Sequence, residues 1–456
     1  MFSAVRTITL VILFKENKKI SQKFHKDYFS LYECSYEHTV YFPMEKNVYS
    51  KLSAMFMDFD SYFASVEQYA QPRLRGKPVG VAPVMAESSC CIAASYEAKA
   101  YGVKTGTRVS DARELCPGII IVPARPELYV KVHHAAIEVV EQCIHVEKVL
   151  SIDELWAWIP YNWRNPEQLA LVTENIKRGM EARFSSDLTC SIGLAPNRWL
   201  AKMASKMRKP NGVLTILPDD LPEVLHELDL SDIHGVGRSM ELRLHAAGIH
   251  SVEALCAASR QKLHSIWGSV EGDRLYLQLR GHHIPDPPTV KRTVGHSHVL
   301  PPDRRRPERA SAVLHKLTQK AGTRLRSYDM LASALVLSIR YLNGQRWAEE
   351  VRMEATSDAL VFAKIIANLW RHRPTPREPL LKIAMTLHHL SERENFTPSL
   401  FAPAKPNRDK LNVAIDSLQK RFGKKSLHLG CDHDAVDSEN MRISFTHIPD
   451  LSTEKN

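Results

Sequence analysis

Two short apolar runs that end in acidic residues constrain this chain more than any other feature. Residues 54–57 lead into Asp58, and residues 149–152 lead into Asp153 and Glu154. Each pattern predicts a buried strand that brings carboxylates to the surface of a sheet. Carboxylates on neighbouring strands repel each other unless a positive charge lies between them. The sequence therefore predicts a divalent-metal site on a β-sheet.

The length and charge of the chain favour a multidomain protein with an anionic partner. The chain has 456 residues, 44% of them hydrophobic, and a net charge of +10. Its length allows roughly two to four domains, and its charge favours nucleic acid as a partner. A mildly basic protein without such a partner is the alternative. Residues 291–350 contain 12 Lys or Arg, including Arg292, against 5 Asp or Glu, which predicts a basic α+β domain.

Several classes of protein are disfavoured by the sequence. None of the eight cysteines forms a C-x-x-C pair, so neither a disulfide framework nor a zinc site is expected. No apolar run approaches the ~20 residues of a membrane span, and we expect a reducing, cytoplasmic compartment. Residues 1–51 show no clear period. They are interpreted as an N-terminal extension that is either disordered or upstream of the true start, for which Met44 and Met55 are alternatives.

Three further segments carry candidate binding residues. A helix is predicted to follow the first acidic strand, with Asp60 or Ser61 as its N-cap. Phe63, near the start of this helix, is expected to cover any ligand bound at the carboxylates. Tyr96 and Lys99 stand three residues apart, so they share a helix face that suits phosphate oxygens or is simply solvated. The third segment lies in residues 230–248, where an amphipathic helix with Leu242 and Leu244 follows a glycine-rich turn. The turn resembles a helix-hairpin-helix that grips a nucleic-acid backbone, and a plain helix–helix turn is the alternative. Its candidate residues are Gly235, Gly237 and Arg238.

Four motifs in order resemble the Y-family of translesion DNA polymerases, of the bacterial DNA polymerase IV or UmuC-like kind. The resemblance covers about residues 52–390. Its motifs are Met57-Asp58-Phe59-Asp60-Ser61-Tyr62-Phe63-Ala64-Ser65-Val66-Glu67, Ser95-Tyr96-Glu97-Ala98-Lys99, Ser151-Ile152-Asp153-Glu154, and Ser191-Ile192-Gly193-Leu194-Ala195-Pro196-Asn197 through Lys209-Pro210-Asn211-Gly212.

The resemblance implies an α+β right-hand polymerase. It has a palm of mixed sheet and helices, small fingers, a helical thumb with the helix-hairpin-helix, and an α+β little finger that binds DNA. The implied boundaries are palm 52–70 and 129–222, fingers 71–128, thumb 223–285, linker 286–290, little finger 291–393, and C-terminal tail 394–456.

The resemblance also implies a role for each site residue. The metal-binding and catalytic carboxylates are Asp58, Asp153 and Glu154, with a backbone carbonyl from Phe59, and they hold two Mg²⁺ ions. The triphosphate contacts are Tyr96, Lys99 and Lys209. Phe63 is the steric gate, whose ring excludes a ribose 2′-hydroxyl.

Three positions depart from the usual family pattern. Lys99 stands where Arg is usual, which keeps the charge and loses the bidentate fork. Ala93 replaces a common Thr or Ser and removes one potential phosphate contact. Leu155 and Trp156 replace the more usual Ala-Tyr and add bulk beside the acidic pair. Because all three carboxylates remain, we expect activity.

The expected function is template-directed, error-tolerant DNA synthesis past damaged bases. The expected partners are primer–template DNA and deoxynucleoside triphosphates. The protein is expected to act as a monomer in the bacterial cytoplasm, at the nucleoid. Leu400 and Phe401 end a tail segment like a sliding-clamp peptide, although it lacks the leading Gln, and an ordinary apolar anchor is the alternative. The rival functions are a non-catalytic, polymerase-like accessory protein that binds DNA and a clamp, and an unrelated metal nuclease.

Overall fold

The structure is a computed structural model that describes residues 51–286, 290–396, 408–423, 426–427 and 430. Residues 1–50 of the expected N-terminal extension lie outside the described residues, as do Leu400 and Phe401 of the expected clamp peptide. No helix in the described ranges is long and apolar enough to cross a membrane.

Strands and helices alternate along the chain, which confirms the predicted α+β class. The first half forms β1 (Ala54–Phe59), α1 (Tyr62–Ala70), β2 (Val79–Ala82), β3 (Ala93–Ala94), α2 (Tyr96–Lys99), α3 (Val109–Leu115), β4 (Ile120–Pro123), α4 (Pro126–Glu141), β5 (Lys148–Val149), β6 (Glu154–Trp158), α5 (Pro166–Phe184), β7 (Cys190–Ala195), α6 (Arg198–Met207) and β8 (Val213–Thr215). The second half forms α7 (Arg238–Ala246), α8 (Val252–Ala257), α9 (Arg260–Trp267), α10 (Val270–Gln278), β9 (Val294–Val299), α11 (Pro307–Ser327), β10 (Met330–Tyr341), β11 (Arg346–Thr356), α12 (Ala359–His372), β12 (Leu380–Glu392) and α13 (Asp409–Phe422).

The five-stranded central sheet has the order β5-β6-β1-β7-β8, with β1 in the middle. Every residue of β1 is buried, which explains why its sequence is an almost continuous apolar run. Side chains alternate between two cores because a strand has a period of two: Phe56 lies in one, and Met55 and Met57 lie in the other. The same alternation puts Asp58 on the face of Phe56.

A glycine lets α6 approach the central sheet. A Cβ at Gly193 of β7 would lie 2.0 Å from the carbonyl oxygen of Ala201 and 2.5 Å from the backbone nitrogen of Ser205. Asn197 caps this helix, since its side chain accepts a hydrogen bond of 2.8 Å from the Leu200 N–H. The close contact brings the basic face of α6 to the acidic strands.

A small sheet of order β3-β2-β4 follows β1 and α1 in the chain. The apolar sequence of residues 90–94 predicts a strand over the whole run, but only Ala93 and Ala94 belong to β3. Cys90 instead forms an isolated bridge with Arg108. Helix α2 is capped by the Ser95 side chain, and this cap fixes the start of the segment that carries Tyr96 and Lys99.

Short helices form the region after the central sheet, and one expectation about them is wrong. Leu244 of α7 is buried, whereas Leu242 is 62% exposed. Residues two apart on a helix point in different directions, so the two leucines cannot share one apolar face.

The C-terminal sheet has the order β11-β10-β12-β9, and α11 and α12 contribute to its core. The runs 334–339 and 381–387, expected as strands, lie inside β10 and β12. The sequence did not predict β9 and β11, which are the two edge strands.

Candidate active site

Three carboxylates converge where β1 meets β6. Asp58 on β1 lies directly opposite Glu154 on β6 in the antiparallel register. The Phe59 N–H donates a 2.8 Å hydrogen bond to the Asp153 carbonyl, so residue 153 is next to residue 59. In an extended strand the N–H and C=O of one residue point to the same side, so the Phe59 carbonyl also faces the Asp153 segment. Strand β1, strand β6 and the turn just before β6 thus supply all four expected ligands.

Burial makes negative charge at this site unfavourable unless positive charge lies nearby. Asp58 is 6% exposed. Burial raises its pKa to about 6, with smaller contributions from Asp153 and Glu154, while Lys209 opposes the rise. The pKa of Asp153 is also raised, first by burial and then by Glu154, although a 2.6 Å hydrogen bond from the Ser151 hydroxyl lowers it. The site is therefore suited to a cation.

Two lysines now neutralise these acids. The Lys209 ammonium contacts Asp58, and the Lys202 ammonium lies 2.7 Å from both carboxylate oxygens of Glu154. No three acidic, His or Cys side chains in the described part of the chain are arranged to enclose a metal as they stand. The physical reason is that these two acids point at lysines, while Asp153 is turned to Ser151.

The chemistry of the donors fits a hard divalent cation. Carboxylate and carbonyl oxygens are the ligands that Mg²⁺ prefers. Asp58, Asp153, Glu154 and the Phe59 carbonyl are all of this kind, and rotation of the side chains away from the lysines would complete the set.

The expected triphosphate residues also lie beside this cluster. Lys99 Nζ donates a 2.6 Å hydrogen bond to the Ser61 hydroxyl and lies 4.3 Å from the centre of the Tyr96 ring. Burial lowers the pKa of Lys99, and the nearby charge of Lys209 lowers it further. Asp60 and Asp58 partly offset this effect. Two lysines that repel each other at one site are favourable when an anion binds between them.

Phe63 lies in the first turn of α1 and is only 4% exposed. Its ring stacks on the Tyr129 ring of α4, with centroids 4.5 Å apart and an interplanar angle of 21°. The aromatic side chain is thus packed in the core of Met57 and Phe59, four residues after the end of β1.

The expected DNA-binding residues lie elsewhere in the chain. Gly235 has φ +97°, and Gly237 is the N-cap of α7, so both belong to the turn before that helix. Arg238 is the first residue of α7 and is exposed. Arg292 lies just before β9 and is also exposed. These residues are distant in sequence from the carboxylates.

The departures at Ala93, Leu155 and Trp156 are accommodated in the interior, whereas Lys99 is exposed. Ala93 and Leu155 are buried in the core that contains Met57. Trp156 lies on the Glu154 face of β6, in the core of α6, with the Arg198 guanidinium 5.5 Å from the centre of its ring. The added bulk is therefore absorbed by packing.

Asp60 is a site residue that the sequence analysis missed. Ser61 is the N-cap of α1, with left-handed φ 48° and no side-chain cap hydrogen bond, whereas the Asp60 carboxylate is completely buried. It accepts hydrogen bonds of 2.8–3.3 Å from the hydroxyls of Ser191, Thr189 and Tyr96 and from the Asn211 N–H. Asp60 therefore joins β1, β7, α2 and the turn that carries Lys209.

Lys177 of α5 was also missed. Its ammonium donates hydrogen bonds to the Asn211 carbonyl at 2.5 Å, the Asn211 side chain at 2.7 Å and the Cys190 carbonyl at 3.2 Å. For Lys202, which holds Glu154, a signal was available: Arg198, Lys202 and Lys206 have i, i+4 spacing and form one basic face of a helix.

Comparison with known proteins is consistent with this arrangement. Residues 57–206 match the impB/mucB/samB family, 291–400 match the C-terminal domain of that family, and 231–282 match the thumb domain of DNA polymerase-iota. DNA polymerase IV 1 of Bacillus subtilis is 30% identical over 403 residues, which cover 85% of this chain and 95% of that protein. DNA polymerase IV of Moorella thermoacetica is 31% identical over 392 residues, covering 84% and 96%.

A solved structure supports the fold. The Y-family DNA polymerase chimera Dbh-Dpo4(243-245)-Dbh has a TM-score of 0.61 at 24% identity, over 75% of this chain and 99% of the chimera. The chain therefore belongs to the Y-family of translesion DNA polymerases, since it matches the impB/mucB/samB family and is similar to the DNA polymerases IV of Bacillus subtilis and Moorella thermoacetica.

Proposed function

We propose that this DNA-directed DNA polymerase performs error-tolerant nucleotidyl transfer at the cluster of Asp58, Asp153 and Glu154. The observation that carries the proposal is the direct pairing of Asp58 with Glu154 on adjacent strands, with lysine ammoniums against both carboxylates. A buried acidic cluster faced by lysines has the charges that a cation and a triphosphate require.

The three carboxylates and the Phe59 carbonyl are proposed to hold two Mg²⁺ ions. Bound there, the ions would lower the pKa of the primer 3′-hydroxyl and stabilise the charge that develops on the leaving pyrophosphate. The chain's own contribution is to fix these oxygens on two paired strands. Burial raises the pKa of Asp58 to about 6, so its ionised form is favourable only with positive charge close by, which a cation would supply.

Tyr96, Lys99 and Lys209 are proposed to hold the triphosphate. Each offers a donor next to the carboxylates: Lys209 at Asp58, Lys99 at Ser61, and the Tyr96 hydroxyl at Asp60. An ammonium group acts as a point charge, so it can bind phosphate oxygens in several positions and does not impose one bidentate geometry. Phe63 is proposed as the steric gate against ribonucleotides.

The remaining contacts are proposed to grip the DNA without reading its sequence. Gly235, Gly237 and Arg238 would bind a backbone phosphate at the start of α7, and Arg292 would bind another. Leu400 and Phe401 are proposed as a sliding-clamp contact, and the protein is proposed to work as a monomer in the bacterial cytoplasm at the nucleoid.

The domain boundaries expected from the sequence are retained as part of the proposal. The central sheet takes β1 from one expected palm segment and its other strands from the second, while the small sheet and the C-terminal sheet each lie within one expected domain. The proposed boundaries are palm 52–70 and 129–222, fingers 71–128, thumb 223–285, linker 286–290, and little finger 291–393.

Primer extension by an Asp153→Asn variant tests the mechanism. With a labelled primer, template, the four deoxynucleotides and Mg²⁺, we expect at least a hundredfold loss of extension, because a metal ligand is removed without a change of shape. Asp219→Asn is the matched control, since Asp219 is exposed and lies outside the cluster. Activity of Asp153→Asn close to that of the control would refute the assignment.

The same gel separates the rival functions. The wild-type polymerase gives longer product, an accessory protein leaves the primer unchanged, and a nuclease shortens it. Addition of a chelator is expected to stop extension, and excess Mg²⁺ is expected to restore it.

A further inference from the structure

The aromatic residue Tyr129 supports Phe63 from the protein interior. Tyr129 is completely buried, and its ring is stacked on the Phe63 ring at 4.5 Å between centroids. Phe63 is the less buried of the two, at 4% exposure. Tyr129 therefore covers the inner side of Phe63, and the Phe63 ring cannot move inward unless Tyr129 moves as well.

Tyr129 is itself fixed at both its side chain and its backbone. Its hydroxyl donates a 2.7 Å hydrogen bond to Glu67, and its carbonyl accepts a 2.6 Å hydrogen bond from the Tyr62 hydroxyl. Tyr62 and Glu67 both lie on α1, the helix that carries Phe63. The two rings are thus held by one helix at three points, which leaves little freedom in their stacking.

The acceptor of the Tyr129 hydroxyl is a buried carboxylate held in place by a guanidinium. Glu67 is 0% exposed, and Arg125 donates to it from Nε at 3.0 Å and from Nη2 at 2.5 Å. A paired, charge-assisted contact of this kind has a fixed geometry. Glu67 in turn fixes the position of the Tyr129 hydroxyl. The exposed Arg125, which is the N-cap of α4, is therefore connected to Phe63 through two buried side chains, Glu67 and Tyr129.

We propose that Tyr129 is a specificity-determining positioning residue that stiffens the steric gate. A gate selects against a 2′-hydroxyl only if its ring does not yield when the extra oxygen presses on it, and side chains leave their preferred rotamers at low cost unless neighbours prevent it. Tyr129 prevents it by filling the space behind Phe63. This inference depends on the proposed gate role of Phe63, and Tyr129 acts through that ring without touching the sugar.

Single-nucleotide incorporation with matched deoxy and ribo substrates tests the inference. The readout is the ratio of kcat/KM for the ribonucleotide to that for the deoxynucleotide of the same base. Tyr129→Leu removes the stacked ring, and we expect the ratio to rise about tenfold, with less than a threefold change in kcat/KM for the deoxynucleotide. Tyr129→Phe keeps the ring and loses the hydrogen bond to Glu67, and a smaller rise is expected, roughly threefold.

Tyr69→Leu is the matched control. Tyr69 lies on the same helix α1 and packs edge-on against Phe184, with centroids 5.6 Å apart, away from the gate. It should lose a comparable aromatic contact and leave the ratio unchanged. A purely structural role of Tyr129 predicts that both leucine variants lower stability and that neither changes the ratio.

The variant Phe63→Ala separates failure of the inference from failure of the gate. If Phe63→Ala raises the ratio and neither Tyr129 variant does, Tyr129 has no part in selection and Phe63 remains the gate. If Phe63→Ala leaves the ratio unchanged, the gate assignment itself is wrong. The double variant Phe63→Ala/Tyr129→Leu should match Phe63→Ala alone, and a further rise would show that Tyr129 acts independently of Phe63 and overturn the proposal. Tyr129→Phe preserves nearly the whole side-chain volume, so it supplies the decisive ratio if Tyr129→Leu does not fold.

Discussion

Replacement of Lys177 by methionine tests whether Lys177 fixes the position of Lys209, the proposed triphosphate ligand. Lys177 donates to both oxygens of Asn211, at 2.5 and 2.7 Å, and Asn211 lies two residues after Lys209. Asn211 has a left-handed φ of 52°, and its N–H is held at 2.8 Å by Asp60. Loss of Lys177 therefore releases one of the two groups that fix this turn.

The size of the effect follows from the contacts that are lost. Hydrogen bonds from a charged donor contribute about 1.5–3 kcal/mol each, and water replaces part of this because Lys177 is only partly buried. A net loss of about 1.4 kcal/mol in placing Lys209 corresponds to about a tenfold decrease in kcat/KM for the incoming nucleotide. We expect the decrease mainly in KM, because the carboxylates themselves are unchanged.

Steady-state incorporation by four variants is the assay. Lys177→Arg keeps the charge and should retain most of the activity, while Lys177→Met should show the full loss. The Lys177→Met/Lys209→Met double variant should be no worse than Lys209→Met alone, since Lys177 is inferred to act through Lys209. Independent, multiplying losses in the double variant would refute the reasoning.

Two further predictions concern stability. The Nδ1 of buried His133 is 2.8 Å from the Ile152 carbonyl, and burial lowers the pKa of His133 to about 4, with His134 adding to the shift and the Ile152 hydrogen bond opposing it. The unfolded chain binds this proton below pH 6.5 and the folded chain only near pH 4, so about 3 kcal/mol of unfolding free energy is lost as pH falls through that window. Denaturant titrations at several pH values should show a smaller loss in His133→Gln, and an equal loss would contradict the assignment. Gly193→Ala puts a Cβ 2.0 Å from the Ala201 oxygen, so we expect about 3 kcal/mol of destabilisation in urea, against almost none for Gly118→Ala, whose Cβ meets no atom within 4 Å.

The sequence predicted those parts of the structure whose signal is local. Asp58 ends the apolar run of β1, as predicted. The strand expected at residues 149–152 is wrong, because residues 150–153 form the turn between β5 and β6. Glu154 instead begins β6, and the register pairs it with Asp58. Strands β10 and β12 were found for the same reason, since both lie inside the C-terminal sheet and carry apolar residues. The edge strands β9 and β11 were missed because one side of an edge strand has no partner and its side chains are largely polar. Their extended structure comes from pairing with β12 and β10 rather than from an apolar pattern.

The partners of the carboxylates were beyond sequence reasoning for a related physical reason. Lys209 is 151 residues from Asp58, and Lys202 is 48 residues from Glu154, so only the folded chain shows which lysine neutralises which acid. Asp60 is the clearest case. Its position before a helix predicts that the Asp60 side chain caps that helix. In the structure, four donors from the β7 segment, α2 and the Lys209 turn hydrogen-bond to the carboxylate and stabilise it in the interior. A buried carboxylate that accepts several hydrogen bonds is more stable than an exposed carboxylate that accepts a single capping hydrogen bond. Long-range hydrogen bonds therefore outweigh the local capping preference where the fold brings distant donors together, as it does at the end of β1.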